Sequence, residues 1–215
     1  MKNLETEYKW QVDSVRDFSR ALAVFKTLAR VSYPNNLNIC DTYLDHANGD
    51  FAKEKIAFRV RRVCTKWEAT FKTRSEIKNG KAVRREETLP LPGVKNLAQA
   101  LAFLQCKKTW ENLDVCDLQK RFVLKNKRRI FTVIYKKCKA ELALDNFVIS
   151  VFGHDVKMKE IELERKSGTM DDFEELSAKF SAQSGFAFSS ISKVKTAEML
   201  RDKWSKHDES VGPFV

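Results

Sequence analysis

Three stretches of this chain place charges at every second residue, with mostly apolar residues between them. Glu5, Glu7 and Lys9 are in step near the start, Arg59 and Arg61 in the middle, and Glu160, Glu162 and Glu164 near the end. Two is the period of a β-strand, so each set lies on one face of a sheet while Val60, Ile161 and Leu163 lie on the other. Several such strands, curled with their charges inward, would enclose a polar bore lined by both acids and bases. An ion in such an interior carries a penalty on the order of several kcal/mol unless it is paired or coordinates something. A bore of this kind therefore implies work for it to do.

The rest of the pattern supplies the other elements. The first strand covers about Asn3 to Val12. Ser14-Val15-Arg16-Asp17 reads as a capping box, and Val15, Phe18, Leu22, Phe25 and Ala29 recur at helical spacing behind it. Tyr33-Pro34-Asn35-Asn36 breaks that helix. Strands follow at Asn38–Asp45, Ala57–Val63, Trp67–Ile77 and Ala82–Leu89, with turn signals at Asn48-Gly49 and Asn79-Gly80 and an end at Pro90 and Pro92. Asn96–Gln105 is a short helix with Leu97, Leu101 and Leu104 on one side. Strands near Leu118–Leu124, Ile130–Lys137, Ala140–Val148 and Val156–Arg165 complete the set, and the run Lys125-Asn126-Lys127-Arg128-Arg129 reads as a solvated turn between two of them. Thr169-Met170-Asp171-Asp172 opens a helix carrying Phe173, Leu176 and Phe180, and Gly185 stops it. A final helix covers Val194–Trp204, and Ser205–Val215 reads as a frayed tail. The sum is an α+β fold: roughly eight hairpin-connected strands in an antiparallel barrel, with inserted and C-terminal helices, as one domain over residues 1–204.

Composition narrows the class. The chain has 215 residues, 43% hydrophobic and 32% charged, which suits a folded domain. No stretch approaches the ~20 apolar residues of a membrane span, and Glu5 and Glu7 fall where an export signal would begin, so a cytoplasmic protein is expected. Its five cysteines, Cys40, Cys64, Cys106, Cys116 and Cys138, are odd in number and match no zinc spacing. They read as free, largely buried thiols. Three scattered histidines argue against a histidine metal cluster. Forty Lys and Arg against 29 acids give a net charge of +11, which attracts polyanions of any kind.

Glu5-x-Glu7-x-Lys9 resembles the signature of the CYTH superfamily, the triphosphate tunnel metalloenzymes. Phe58-Arg59-Val60-Arg61, Ala69-Thr70-Phe71-Lys72, Lys120-Arg121-Phe122, Glu141-Leu142-Ala143-Leu144-Asp145, Glu160-Ile161-Glu162-Leu163-Glu164 and Ser190-Ile191-Ser192-Lys193 resemble its later strands and closing segment, in order, from about Leu4 to Leu200. The resemblance implies an eight-stranded tunnel that binds a triphosphate with Mg²⁺ or Mn²⁺. By that resemblance Glu5, Glu7, Asp145, Glu160 and Glu162 face the metal. Lys9, Arg59, Arg61, Lys72, Arg121 and Lys193 face the phosphates. Glu5, Glu7, Lys9, Glu160 and Glu162 carry the chemistry.

The chemistry agrees with these residue types. Arginine forks match phosphate oxygens, and carboxylates beside a phosphate chain make sense only with a hard cation between them. The expected activity is metal-dependent hydrolysis of inorganic triphosphate by in-line attack of water. An adenylyl cyclase or a thiamine triphosphatase on the same scaffold is the nearest rival; the His-Phe pair carried by many bacterial cyclases is missing before Glu5. A non-catalytic module binding polyphosphate or nucleic acid is the rival from another class. Expected partners are a small-molecule triphosphate and no membrane, with nucleic acid disfavoured and a homodimer left open. Taken singly, each charged set also fits a solvated strand face, with Glu164 at a tunnel mouth, Asp145 before a turn and Lys193 at a helix start. Arg84/Glu86 and Arg85/Glu87 fit the inward phase of their strand equally, and a two-residue Asn79-Gly80 turn would favour the second pair by setting Lys72 opposite Glu87. Trp10, Trp67, Trp110 and Trp204 read as packing residues.

Overall fold

The computed structural model describes residues 3–73, 76–78, 81–107 and 115–208. In chain order its elements are β1 (Asn3–Val12), α1 (Val15–Leu28), β2 (Arg30–Val31), β3 (Asn35–Asp45), α2 (Asp50–Lys53), β4 (Ala57–Val63), β5 (Lys66–Lys72), β6 (Glu76–Lys78), β7 (Lys81–Pro90), α3 (Leu97–Lys107), β8 (Gln119–Tyr135), β9 (Cys138–Val151), β10 (His154–Ser167), α4 (Met170–Ser184) and α5 (Lys193–Asp208). The sheet runs β1-β10-β9-β8-β3-β4-β5-β7, and β7 then pairs with the free side of β1. Eight antiparallel strands thus close on themselves, as the charge pattern predicts. β2 prolongs the β3 line along β8, and β6 prolongs the β5 line along β7.

Register puts the charged positions on one face. Lys9 pairs with Glu162 and Gln11 with Glu160; Glu160 in turn pairs with Asp145, and Asp145 with Arg128. Directly paired residues share a face, so these side chains all point into the barrel. The alternate residues point outward and are apolar where helices cover them. α1 and α4 cover β1, β8, β9 and β10 through Trp10, Phe25, Leu144, Ile161, Leu163, Phe173 and Phe180, all fully buried. Each such side chain contributes about 1.5–3 kcal/mol on burial. The Trp10 indole N–H donates to Ser181 Oγ at 2.9 Å, so this tryptophan packs outward beneath a helix as expected. α1 begins at the Ser14 capping box, with both reciprocal hydrogen bonds present, and α4 ends at Gly185 in the left-handed conformation.

A second layer, α2 and α3, covers β4 and β5 over Leu44, Phe58, Val60, Ala69 and Leu104, with Trp67 against it. α5 does something different. Ala197, with Val194, Leu200 and Trp204, packs on Tyr43, Phe122, Leu124, Phe147 and Ile149, and Tyr43, Phe122, Leu124 and Phe147 occupy inward positions. The helix therefore stoppers one end of the barrel.

Several boundaries differ from the sequence reading. The run Lys125–Arg129 is not a turn: β8 crosses it without interruption, paired with β3 on one side and β9 on the other. Its residues alternate, with Lys125, Lys127 and Arg129 outward and Asn126 and Arg128 inward. The expected strand Trp67–Ile77 divides into β5 and β6. α2 fills the Asn48-Gly49 turn, where the Asp45 carboxylate accepts from the His46, Phe51 and Ala52 backbone N–H groups. α5 starts one residue earlier than expected and continues past Trp204 to Asp208. The cysteines are free but not mostly buried; Cys64, Cys106 and Cys116 are exposed. Asn79-Gly80, Trp110 and residues 209–215 lie outside the described residues.

Candidate active site

The inward side chains surround a cavity of about 1290 Å³. Glu5, Glu7, Lys9, Arg59, Arg61, Lys72, Arg121, Glu162 and Lys193 line it, so nine of the residues picked from sequence are brought together. Asp145 and Glu160 are buried in contact with Lys193.

One wall is a knot of three carboxylates and three cations. The Lys193 ammonium lies 3.0 Å from Asp145, 2.5 Å from Glu160 and 2.7 Å from Glu162. Lys9 donates to Glu162 at 2.5 Å and lies 3.3 Å from Glu7 and 3.6 Å from Glu160. Arg128 donates to both Asp145 oxygens, at 2.6 and 2.5 Å, and to Glu162 at 2.5 Å. Burial and the Glu162 carboxylate beside it push Glu160 up to about 7, although Lys193 and Lys9 oppose this. Glu162 is buried too, but Lys193, Lys9 and Arg128 together hold it well below the usual carboxylate range.

The opposite wall pairs Asp41 with arginines. Arg61 donates to its two oxygens at 2.6 and 2.8 Å, and Arg59 approaches at 3.5 Å. Burial alone would raise Asp41; the two guanidiniums outweigh it and depress its pKa. Glu86 lies 2.5 Å from Lys72 and 3.5 Å from Arg59, and Lys72 lies 3.8 Å from Glu5. Farther along, Lys166 lies 2.7 Å from Glu164 and 3.9 Å from Glu141. Burial, with Glu5 and Glu141 nearby, pushes Glu164 up. Arg121 donates to Glu198 of α5 at 2.8 Å, which ties the stopper helix to the wall.

Glu86 settles which residue of its strand faces in. Near the hairpin tip Lys78 pairs with Lys81 and Glu76 with Val83. That register, continued, would set Lys72 opposite Glu87. Instead Lys72 pairs with Glu86. Three residues separate Lys72 from Glu76, but only two separate Val83 from Glu86. The count differs by one between the two strands, and that difference moves the inward phase by one.

Sequence reasoning missed Asp41, Arg128 and Glu141. Asp41 sits one alternation from Tyr43 on a strand that was recognised, so strand phase could have found it. Arg128 was hidden inside a run of five polar residues.

The cavity walls suit a hard divalent cation. Asp145, Glu160 and Glu162 each place an oxygen within 4.8 Å of the others, an all-oxygen donor set of the kind Mg²⁺ and Mn²⁺ prefer. A cationic group already sits at their centre, the Lys193 ammonium. Glu5 and Glu7 offer a second carboxylate pair in the same cavity. Among the described residues its aromatic lining residues, Tyr43, Phe58 and Phe122, are each no more than 6% exposed.

Comparison with known proteins agrees with this geometry. The CYTH domain family matches residues 3–197. An inorganic triphosphatase of Haemophilus influenzae is 29% identical over 168 residues, which cover 78% of this chain and 47% of that protein. The chain thus spans about half the length of this relative. Among solved structures, a Hippeastrum protein named as an adenylyl cyclase and described as having a dominant triphosphatase activity aligns with a TM-score of 0.68 at 17% identity, covering 91% of this chain and 95% of that one. A Vibrio parahaemolyticus protein named as an adenylate cyclase aligns with a TM-score of 0.57 at 14% identity, covering 91% and 98%. At these identities the two structures share the fold.

Proposed function

This chain belongs to the CYTH domain family, and from that premise we propose that it hydrolyses a triphosphate, inorganic triphosphate first, with Mg²⁺ or Mn²⁺. The observation that carries the reading is the convergence of Lys9, Arg59, Arg61, Lys72 and Arg128 with paired carboxylates on one cavity. Each of those cations already bonds a wall carboxylate, so a ligand that draws several of them to itself must carry several negative charges. The name of the Haemophilus influenzae relative supports the same activity.

Lys9, Arg59, Arg61 and Lys72, with Arg128, would grip the phosphate chain. Their guanidiniums and ammoniums now bond to wall carboxylates, so the cradle is already oriented before substrate arrives. Glu5 and Glu7 on one side, and Asp145, Glu160 and Glu162 on the other, would hold the divalent ions. When bound, such an ion neutralises phosphate charge and polarises the anhydride. Lys193 must leave the three carboxylates for an ion to sit there, and it then becomes available to the phosphates. Glu160 and Glu162 would hold that ion or orient the attacking water. Arg121 reaches the phosphates only by releasing Glu198. Among the described residues the lining rings are buried and present no stacking platform, which favours a substrate without a base or organic cation.

One panel tests this. Inorganic triphosphate, ATP and thiamine triphosphate are each incubated with Mg²⁺, Mn²⁺ or chelator, and phosphate, pyrophosphate and cyclic AMP are measured. Phosphate from inorganic triphosphate, dependent on the metal, is expected. Cyclic AMP with pyrophosphate from ATP would replace the hydrolase by a cyclase. Binding without turnover under every metal condition would defeat both.

A further inference from the structure

Between its two helical layers the outer wall of the barrel is uncovered, and it is basic. Across one row Arg62 pairs with Cys40, Cys40 with Lys125, Lys125 with Val148 and Val148 with Lys157. The next row carries Asn38, Lys127, Asn146 and Lys159. Arg62, Lys125, Lys127 and Lys157 are exposed. None of the ion pairs among the described residues uses them, and the Lys159 ammonium donates only to the Asp13 backbone carbonyl, at 3.0 Å. The adjoining row has an acid at its β10 end, Asp155, but its carboxylate accepts from Ser150 at 2.6 Å. Strand geometry spaces Lys125 and Lys127 by about 7 Å, and cations on alternate strands by about 10 Å.

β8 carries this face onward to Arg129. That residue lines a groove of about 640 Å³ together with Lys26, Arg30 and Tyr33. Tyr33 is 96% exposed, fixed between the β2 and β3 pairings with β8 and followed by Pro34. It lies five residues before Asn38 on the same strand line, roughly 17 Å away.

We infer that this outer face binds single-stranded nucleic acid, its phosphates over Arg62, Lys125, Lys127 and Lys159 and a base stacked on Tyr33. Flexible point charges with no enclosing pocket give sequence-tolerant phosphate contact. An open aromatic ring at the end of the track adds the stacking that single strands use. Inorganic polyphosphate or an acidic peptide would satisfy the cations but has no use for the ring. The site is separate from the tunnel, whose cations point the other way.

The test is fluorescence anisotropy of the full chain with a labelled oligouridylate of about 20 nucleotides. The probe carries a 5′-hydroxyl, so that no triphosphate can enter the tunnel, and chelator is present. The Lys125→Glu/Lys127→Glu double variant should weaken binding at least tenfold and flatten the salt slope by about 0.7 per lost phosphate contact. Tyr33→Ala should cost about 5- to 150-fold with little change in slope, as expected for losing one stacked base. Arg59→Ala should bind as wild type, and both outer-face variants should keep wild-type triphosphate turnover. If the outer-face variants bind as tightly as wild type, or if Arg59→Ala abolishes binding, the probe sits in the tunnel and the inference fails. If Tyr33→Ala is silent and inorganic polyphosphate or a polyglutamate peptide displaces the probe at equal charge concentration, the face is a plain polyanion surface and the nucleic-acid assignment is overturned.

Discussion

Replacing Lys193 with methionine isolates the electrostatics of the tunnel wall. In the wild type three cations, Lys9, Arg128 and Lys193, face three buried carboxylates, Asp145, Glu160 and Glu162. Methionine keeps the volume and removes one positive charge from 2.5, 2.7 and 3.0 Å. Breaking a buried pair by deleting one partner costs about 3–5 kcal/mol. The Lys193 side chain keeps 12% exposure, so about 3 kcal/mol, the lower end, is expected. At this chain length that is a fall in Tm of roughly 6–12 °C. The loss should also depend on pH. Glu160 is already held up to about 7, and removing Lys193 moves it higher. A carboxyl whose folded pKa exceeds its unfolded value favours the fold at low pH and loses that advantage as pH rises. The deficit of the variant should therefore be larger at pH 8 than at pH 6. Thermal melts in chelator at both pH values read this directly, and Mg²⁺ should restore much of the loss at pH 8 by refilling the seat. A variant that melts with wild type at pH 8 in chelator would refute the account of the wall. A variant that is destabilised but indifferent to Mg²⁺ and Mn²⁺ would show that the three carboxylates are no metal seat.

Glu5→Gln should keep the wild-type melting curve and lose metal-dependent turnover by two orders of magnitude or more, measured as phosphate release from triphosphate; wild-type turnover would remove Glu5 from the site. Asp41→Asn leaves Arg59 and Arg61 without their shared carboxylate and should cost about 3–5 kcal/mol in denaturant melts at pH 7. Because Asp41 is depressed in the fold, its contribution is present above its unfolded pKa of about 3.9 and is lost as pH falls below that value. The wild-type advantage over Asp41→Asn should accordingly vanish toward pH 2. Gly168→Ala should cost about 3 kcal/mol or more, because Gly168 has φ +91° and an added Cβ would run into the Lys137 carbonyl; a melt equal to wild type would contradict that geometry.

Legibility in the sequence followed the contrast between faces. β1 and β10 could be read because their outward residues, Tyr8, Trp10, Ile161 and Leu163, are apolar and buried under α1 and α4, so the inward charges stand out. β8 passes from a helix-covered stretch to an uncovered one. There its outward residues are Lys125 and Lys127, both faces are polar, and the alternation that would have marked Arg128 disappears. Asp41 was obscured in the same way by Asn38, Cys40 and Thr42. Its partners Arg59 and Arg61 lie 18 and 20 residues away in sequence, and pattern alone does not join them. Strand existence, capping at Ser14 and the stop at Gly185 are local properties and were legible. The split of β5 from β6 depends on the count of residues on two strands at once, which single-strand reasoning does not see.

That one-residue difference in count has a consequence for how this hairpin can vary. It acts as a phase shifter between the tip and the wall. Beyond it the tip can lengthen or shorten without disturbing Lys72 and Glu86, which pair where β5 meets the far end of β7. Deleting one residue between Lys72 and Glu76 would equalise the two strands, so that Glu76 opposite Val83 and Lys72 opposite Glu86 would fit one unbroken ladder. Arg59 would keep its Glu86 neighbour, and the inward set would tolerate that loss.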